Sequence, residues 1–300
     1  VSLIGEGDPR GVGDRVSLVL AALIVLFLSL VFRGFLVEPW RIERTVIELE
    51  LPRLPAPLKE ARIVILSDLH TQSWGYRELF IADQLRRHPP DLLLLSGDLI
   101  SNSGGVNTVL EVLGSVHPRM GVFFVRGNNE VEEIADQQGF IERLTKLGWT
   151  ILMNEHRKIE GAGEEFYIAG VDDPNNDLDR LDKALEGIPS GAFTVLLAHT
   201  PEPFPEAVQA GVNLVVSGHT HGGQVQVPVL GPPWVDTPRT GRMYTSGVYR
   251  EEGSTLIVSR GVGWSILPLR LFCSPQLIEL RLRATSCGPT RGPLSRDGPS

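Results

Sequence analysis

The stretch Arg62-Ile63-Val64-Ile65-Leu66-Ser67-Asp68-Leu69-His70 joins an apolar run to two side chains able to ligate a metal. Consecutive aliphatic residues with no polar alternate describe a strand buried on both faces, as in a mostly parallel sheet covered by helices. The arrangement recurs along the chain. Leu92–Ser96 ends in Gly97-Asp98, and Val122–Val125 leads to Gly127-Asn128-Asn129-Glu130. Thr194–Ala198 ends in His199-Thr200-Pro201, and Leu214–Ser217 ends in Gly218-His219-Thr220-His221-Gly222-Gly223-Gln224. In open α/β sheets ligand sites form beyond the carboxyl ends of the strands, so these loops are expected to converge on one edge.

Asp68, His70, Asp98, Asn128, His199, His219 and His221 offer oxygen and imidazole donors without thiolate, a set suited to Mn, Fe, Zn or Co. Asp-x-His and His-x-His each put two donors on one short loop, and Asp98 is a lone carboxylate able to bridge two cations. Two metals about 3.5–4 Å apart clamp the attacking and leaving oxygens of an in-line phosphoryl displacement. Singly, each residue has an ordinary explanation. An Asp after a strand often caps a helix, and a lone His is often a satisfied core residue. Five such motifs in order at five strand ends have no ordinary explanation. His88, His117 and His156 lie outside the motifs and read as solvated.

Elsewhere Tyr76–His88 and Glu130–Lys146 have helical spacing, while Tyr167–Val171, Gln224–Val227, Thr255–Ser259 and Gln276–Leu282 read as strands. Strand–helix alternation early and strands late predict an α/β sandwich with an antiparallel part. With 42% apolar and 21% charged residues the 300-residue chain is globular. A formal charge of −8 argues against a nucleic-acid partner. Two cysteines, Cys273 and Cys287, with no Cys-x-x-Cys exclude a disulfide scaffold and a zinc finger.

Val16–Val37 is nearly continuous in apolar residues and about the ~20 needed to cross a bilayer core. Arg33 near its end can snorkel, and Trp40 follows at interfacial depth. No Ala-x-Ala-like site follows the run, so an uncleaved anchor is expected rather than a signal peptide. Arg10 and Arg15 precede it, whereas Arg33, Arg41, Arg44 and Arg53 follow it, which places the following domain in the cytoplasm. The predicted organisation is a tail over 1–15, an anchor over 16–37, a Pro-containing linker over 38–60, a catalytic domain over 61–283 and a disordered tail over 284–300.

The ordered motifs from about Ala61 to Leu282 resemble those of the calcineurin-like metallophosphoesterase superfamily, in particular its membrane-anchored bacterial YkuE/YaeI-like phosphodiesterase branch. The segments around Glu38-Pro39-Trp40, Gly247-Val-Tyr-Arg-Glu-Glu-Gly253 and Val258-Ser-Arg-Gly-Val-Gly263 carry the closer likeness. The resemblance implies a four-layer α/β/β/α sandwich and two divalent metals, manganese first, with Fe, Zn, Co or Ni as alternatives. Asp68, His70 and His221 would hold one metal; Asn128, His199 and His219 would hold the other; Asp98 would bridge. It implies attack on phosphorus by a metal-bridging hydroxide at Asp98, without a covalent enzyme intermediate.

Two departures from the superfamily pattern bear on the reaction. Gly-Asn-His-Asp/Glu here reads Gly127-Asn128-Asn129-Glu130. Asn129 can contact phosphate but cannot supply a proton near neutral pH, which favours diester or pyrophosphate substrates over monoesters. Ser101 stands where a second aspartate usually supports a ligating histidine. Arg239, Arg242 and Arg260 are candidate substrate-phosphate contacts, and Trp234 a candidate for acyl chains. The expected protein is a single-pass enzyme of a bacterial inner membrane with a phosphoester substrate. UDP-2,3-diacylglucosamine of lipid A synthesis is the specific expectation. A nucleotide phosphodiesterase, a phosphoprotein phosphatase and a degenerate metal- or partner-binding protein are the alternatives.

Overall fold

The computed structural model describes residues 9–285. Most of the two expected tails, 1–8 and 286–300, lies outside the described residues. Two six-stranded sheets form the centre. The first has the order β1-β12-β2-β3-β4-β5, from β1 (Glu43–Leu51), β12 (Gln276–Ala284), β2 (Arg62–Leu66), β3 (Leu92–Leu95), β4 (Val122–Phe124) and β5 (Trp149–Ile151). The second has the order β10-β11-β9-β8-β7-β6, from β10 (Gly247–Glu251), β11 (Ser254–Val258), β9 (Leu214–Ser217), β8 (Thr194–Leu197), β7 (Glu164–Gly170) and β6 (Glu155–Gly161).

β2 to β5 run parallel, as do β7, β8, β9 and β11. Successive side chains point to opposite faces of a strand, so each buried run feeds two cores. Ile63, Ile65, Leu92 and Leu94 meet Ile168, Val195, Leu197 and Val216 between the sheets. Val64, Leu66, Leu93 and Leu95 face outward onto α2 (Tyr76–Arg87), α3 (Val106–Leu113) and α5 (Gln137–Lys146). Ala169, Leu196 and Val215 pack with α6 (Leu181–Leu185) and α7 (Phe204–Gln209). The result is the expected α/β/β/α sandwich.

Residues 43–51, expected within a linker, instead form β1, paired in parallel with β12 from Glu43↔Gln276 to Leu51↔Ala284. Thr45, Ile47, Leu49 and Leu51 alternate with more exposed neighbours, as an edge strand with one buried face requires. β12 also runs through Ala284, one residue past the expected domain end. Gln224–Val227 is not a strand: it makes single bridges, Val225↔Leu271 and Val227↔Gly231, because Pro228, Pro232 and Pro233 remove donors a ladder needs. The helix expected over Glu130–Lys146 is two, α4 (Asn128–Glu133) and α5. Ile134 is extended and Asp136 caps α5 by accepting from Gly139 N–H at 2.9 Å.

α1 (Pro9–Phe32) is continued by a π-helical turn, Arg33–Val37, and a 3-10 turn, Glu38–Trp40. Asp14–Trp40 has a mean hydropathy of 2.6 over its most apolar window, none of it buried, and is long enough to cross a membrane. Its last turns are packed on the domain. Arg270 N–H donates to Gly34 O at 2.9 Å, Cys273 N–H donates to Glu38 Oε1 at 2.6 Å, and Trp40 meets Trp264 edge-on at 5.2 Å.

Candidate metal centre

The carboxyl ends of β2, β3, β8 and β9, with the start of α4 after β4, deliver the expected donors to one edge. Asp68, His70 and His221 place a ligating atom of each within 4.8 Å of the others, and Asp98, His199 and His219 do the same. All six are buried, from 0% exposed at Asp68 and His199 to 9% at His219. Asp98 faces both groups: its Oδ2 lies 3.6 Å from His70 Nε2 and its Oδ1 3.6 Å from His199 Nε2. Asn128 Oδ1 lies 3.2 Å from His199 Nε2, on the second group's side.

The loops are bent to make this possible. Asp68, His70, Asp98, His219 and His221 all have positive φ, between 47° and 67°. Such backbone is uncommon for residues with a β-carbon, costs about 1–3 kcal/mol each, and collects at functional sites. Gly218 approaches the first group so closely that a β-carbon there would collide with Ser67 Oγ and lie 2.5 Å from Asp68 Oδ2.

The donor set fits divalent cations. His70 Nε2 faces His221 Nε2 at 3.0 Å, and His219 Nδ1 faces His199 Nε2 at 3.1 Å. Imidazole lone pairs converge there with buried carboxylates and no lysine, a crowding that a cation relieves. The remaining ring nitrogens are held. His199 Nδ1 lies 2.8 Å from Ser96 O, and His219 Nε2 lies 2.8 Å from Asp236 O. Those carbonyls fix the tautomer and turn Nε2 of His199 and Nδ1 of His219 inward. His221 Nδ1 lies 3.1 Å from Arg270 Nη2. The Arg270 guanidinium also donates to the carbonyls of His221, at 2.8 Å, and of Gly263. A ligating Nε2 places the ring proton on Nδ1, which leaves these carbonyls as Arg270's acceptors.

Burial, then the charge on His199, holds His70 and His219 down to about 3, and burial pushes His221 well below its ordinary value. His199 goes the other way. Burial opposes its charge, but Asp98 and then Asp68 outweigh it and raise it to about 9. Burial raises Asp68 and Asp98 above the usual carboxylate range. Without metal the site is therefore a set of neutral imidazoles around one imidazolium, with two carboxylates that hold protons unusually well.

Asn129 lies at the wall of the cavity over the two groups, with its Nδ2 3.1 Å from His70 Nδ1, and its backbone N–H donates to Asp98 Oδ1 at 2.9 Å. Ser101 Oγ donates to the carbonyl of His70 at 2.9 Å, so it supports that ligand through the backbone rather than the ring. The three arginines expected at substrate are turned elsewhere and do not line this cavity. Arg239 pairs with Asp179 at 3.0 Å and packs near Glu202, Arg242 donates to Pro232 O at 2.9 Å, and Arg260 pairs with Glu43 at 3.0 Å. Nearby carboxylates and carbonyls capture them. Trp234 does line the cavity, which measures about 160 Å³. His156 is held, through Nδ1, 3.0 Å from Ala184 O, rather than free in solvent.

Two residues at the site escaped the sequence. Arg270 sits alone in an apolar run, and nothing local marks it as fully buried beside His221. Glu130 had a signal: Gly127-Asn-Asn-Glu130 matches the spacing of a helix-capping box. Its buried carboxylate accepts from the backbone N–H groups of Gly127, Asp98, Leu99 and Ile100.

Comparison with known proteins agrees with this geometry. Residues 61–223 match the family described as calcineurin-like phosphoesterase. The chain is 29% identical to the uncharacterized metallophosphoesterase YkuE of Bacillus subtilis, covering 83% of this chain and 88% of that one. It is 30% identical to the phosphodiesterase YaeI of Escherichia coli, covering 76% and 83% respectively. It is also 30% identical to a transmembrane protein with metallophosphoesterase domain of Danio rerio, over 79% of this chain and 57% of that protein's length. Among solved structures a dimetal phosphatase from Danio rerio aligns with a TM-score of 0.44 and 13% identity, over 68% of this chain and 88% of that one. A buried pair of donor triads at the strand ends, in a chain whose motifs match over this span, makes the protein a hydrolase of the calcineurin-like phosphoesterase family.

Proposed function

We propose that the chain is a membrane-anchored, dinuclear phosphoesterase that cleaves a phosphodiester or pyrophosphate bond. The observation carrying this is Asp98, whose two carboxylate oxygens face two separate donor groups at equal distance. In this reading Asp68, His70 and His221 hold one cation, Asn128, His199 and His219 hold the second, and Asp98 is shared. When bound, the pair supplies Lewis-acid stabilisation of phosphoryl charge and a water of lowered pKa, with manganese the first candidate. The protein's own contribution is positional. Ser96 O and Asp236 O orient two imidazoles, Glu130 fixes the Asp98 loop, and Asn129 donates hydrogen bonds at the cavity wall without acting as an acid. A substrate whose leaving group departs without protein protonation suits this wall better than an alkyl monoester.

The apolar helix supports a single-pass anchor, with the domain on the cytoplasmic side of a bacterial inner membrane by the arginine asymmetry. A phosphoester carried by a lipid, UDP-2,3-diacylglucosamine among them, is the substrate that such an anchor favours. The test uses full-length protein in detergent, with bis(p-nitrophenyl) phosphate and the lipid-linked diphosphate as parallel substrates. Metal content is counted in the same preparations. Hydrolysis of the diester that disappears in Asp98→Ala, together with loss of bound metal, supports the chemistry. Diester hydrolysis without nucleotide release from the lipid removes the lipid A assignment alone.

A further inference from the structure

The helix end and the metal centre meet at the same edge of the sandwich. β1 runs parallel to β12, and β12 antiparallel to β2. The start of β1 therefore lies at the end where β2 delivers Asp68 and His70. Residues leaving the helix enter the domain on the site's own edge.

Two loops flank the cavity there. Residues 259–278 contribute Ser265 and Ile266 to its wall, and residues 218–235 contribute Gly223, Gln224 and Trp234. The loops are joined, since Gln226 N–H donates to Leu271 O at 2.8 Å and Leu271 N–H to Gln224 O at 2.9 Å. The first is fixed to the helix end by the Arg270–Gly34 and Cys273–Glu38 hydrogen bonds. Gly34 sits so close to it that a β-carbon would lie 2.9 Å from Leu269 Cδ1. Arg33 lies over the Phe272 ring, 4.9 Å from its centroid.

Neither 218–235 nor 259–278 contains an Asp or a Glu, although Asp236 directly follows the first and lines the cavity, and Glu279 directly follows the second. Both loops expose large apolar side chains: Val229 fully, Ile266 at 89%, Leu230 at 78% and Trp234 at 68%. Leu267 and Phe272 extend the same surface toward the helix. A rim of exposed apolar side chains joined to the end of an apolar helix matches a surface that enters the headgroup and upper acyl region of a bilayer.

We infer that these two loops are a membrane-docking surface, and that the catalytic cavity opens between them directly onto the bilayer interface. The proposal rests on the anchored reading above and deepens it. The substrate class is an amphiphile whose phosphoester lies at headgroup depth while its apolar part stays in the membrane. A water-soluble ester has no need of such a rim.

The test is depth measurement on full-length protein with Cys273 and Cys287 replaced by Ser, reconstituted in phosphatidylcholine–phosphatidylglycerol vesicles. Single cysteines at Val229, Ile266, Leu23 and Glu160 are labelled with an environment-sensitive nitrobenzoxadiazole dye. Glu160, paired with Glu165 at the start of β7, lies at the opposite end of the sheets. Retained hydrolysis of bis(p-nitrophenyl) phosphate by the Glu160-labelled protein certifies the fold. The expected result is blue-shifted emission at 229 and 266, quenched about twofold by brominated acyl chains as immersion by about 5–10 Å requires, with none at 160. Quenching at Leu23 but aqueous emission at both 229 and 266 overturns the docking surface and leaves the anchor standing. Aqueous emission at Leu23 removes the anchor, and the docking proposal with it.

Discussion

The carboxylate of Glu130 accepts the backbone N–H of Asp98 at 2.8 Å, while its other oxygen accepts that of Leu99 at 2.7 Å. A side chain on α4 thus holds the shape of the loop after β3, where Asp98 has φ 51°. In Glu130→Gln an NH2 group replaces one acceptor among four backbone donors. The expected cost is about 1–3 kcal/mol of stability, as for an unsatisfied buried hydrogen bond, and about 10–100-fold in metal affinity, as for outer ligands. Chemical denaturation and competitive metal titration read the two effects. Unchanged metal affinity would show that the Asp98 loop holds its shape alone.

Metal uptake should release protons near neutral pH. Without metal His199 titrates at about 9, so at pH 7 it is protonated, and ligation through Nε2 requires the neutral ring. Apparent affinity should rise as pH climbs toward about 9 and level above it. The raised Asp68 and Asp98 act in the same direction. His70 and His219, held near 3, release nothing in this range. Calorimetry of manganese binding in buffers of different ionisation enthalpy counts the protons. Zero released at pH 7 contradicts the His199 assignment.

Gly218→Ala should damage the first donor group while leaving the sheets intact. The added carbon collides with Ser67 Oγ and presses on Asp68, and strain of this sort costs about 1–3 kcal/mol. Circular dichroism should stay unchanged, while metal stoichiometry drops below that of the parent. A variant binding the full complement would mean that the Ser67–Asp68 pair yields without loss.

Asn129→His restores an acid at the cavity wall. The side chain at 129 lies against His70 and lines the cavity. Positioned acids contribute about 10²–10⁴-fold, so the ratio of kcat/KM for an alkyl monoester to that for an activated diester should rise by at least about tenfold. An unmoved ratio would show that protonation of the leaving group is not what residue 129 controls.

The sandwich was legible where strands are buried on both faces. Ile63 to Leu66 and Leu92 to Leu95 announce themselves without partners, and the donors follow each run directly. β1 is hidden in the sequence because its partner β12 is far along the chain, and an edge strand reads like an extended linker. Gln224–Val227 failed the other way: its alternation is real, but prolines deny it a ladder. Glu130 has a local signal in its spacing from Gly127, but its hold on the Asp98 loop is a tertiary contact that the spacing does not encode. Arg270, Asp236 O and Ser96 O reach the site only through tertiary folding, so no spacing encodes them. The carboxylates and carbonyls that pair with the arginines at 239, 242 and 260 lie far from them in the chain or in an irregular loop, so charge alone does not reveal those partners.

The pairing of β1 with β12 also sets an order of events during synthesis. Glu43 emerges directly behind the apolar helix, but its partner Gln276 follows only after the whole of both sheets' other strands. β12 lies between β1 and β2 in the finished sheet. Until it arrives, β2 has an open edge and β1 has nothing to pair with. Contacts of such long sequence separation form slowly, and open strand edges invite association between chains. A nascent chain held by its helix would wait with its first strand unpaired, and a ribosome stalled shortly before residue 276 would leave the edge beside Asp68 and His70 uncovered.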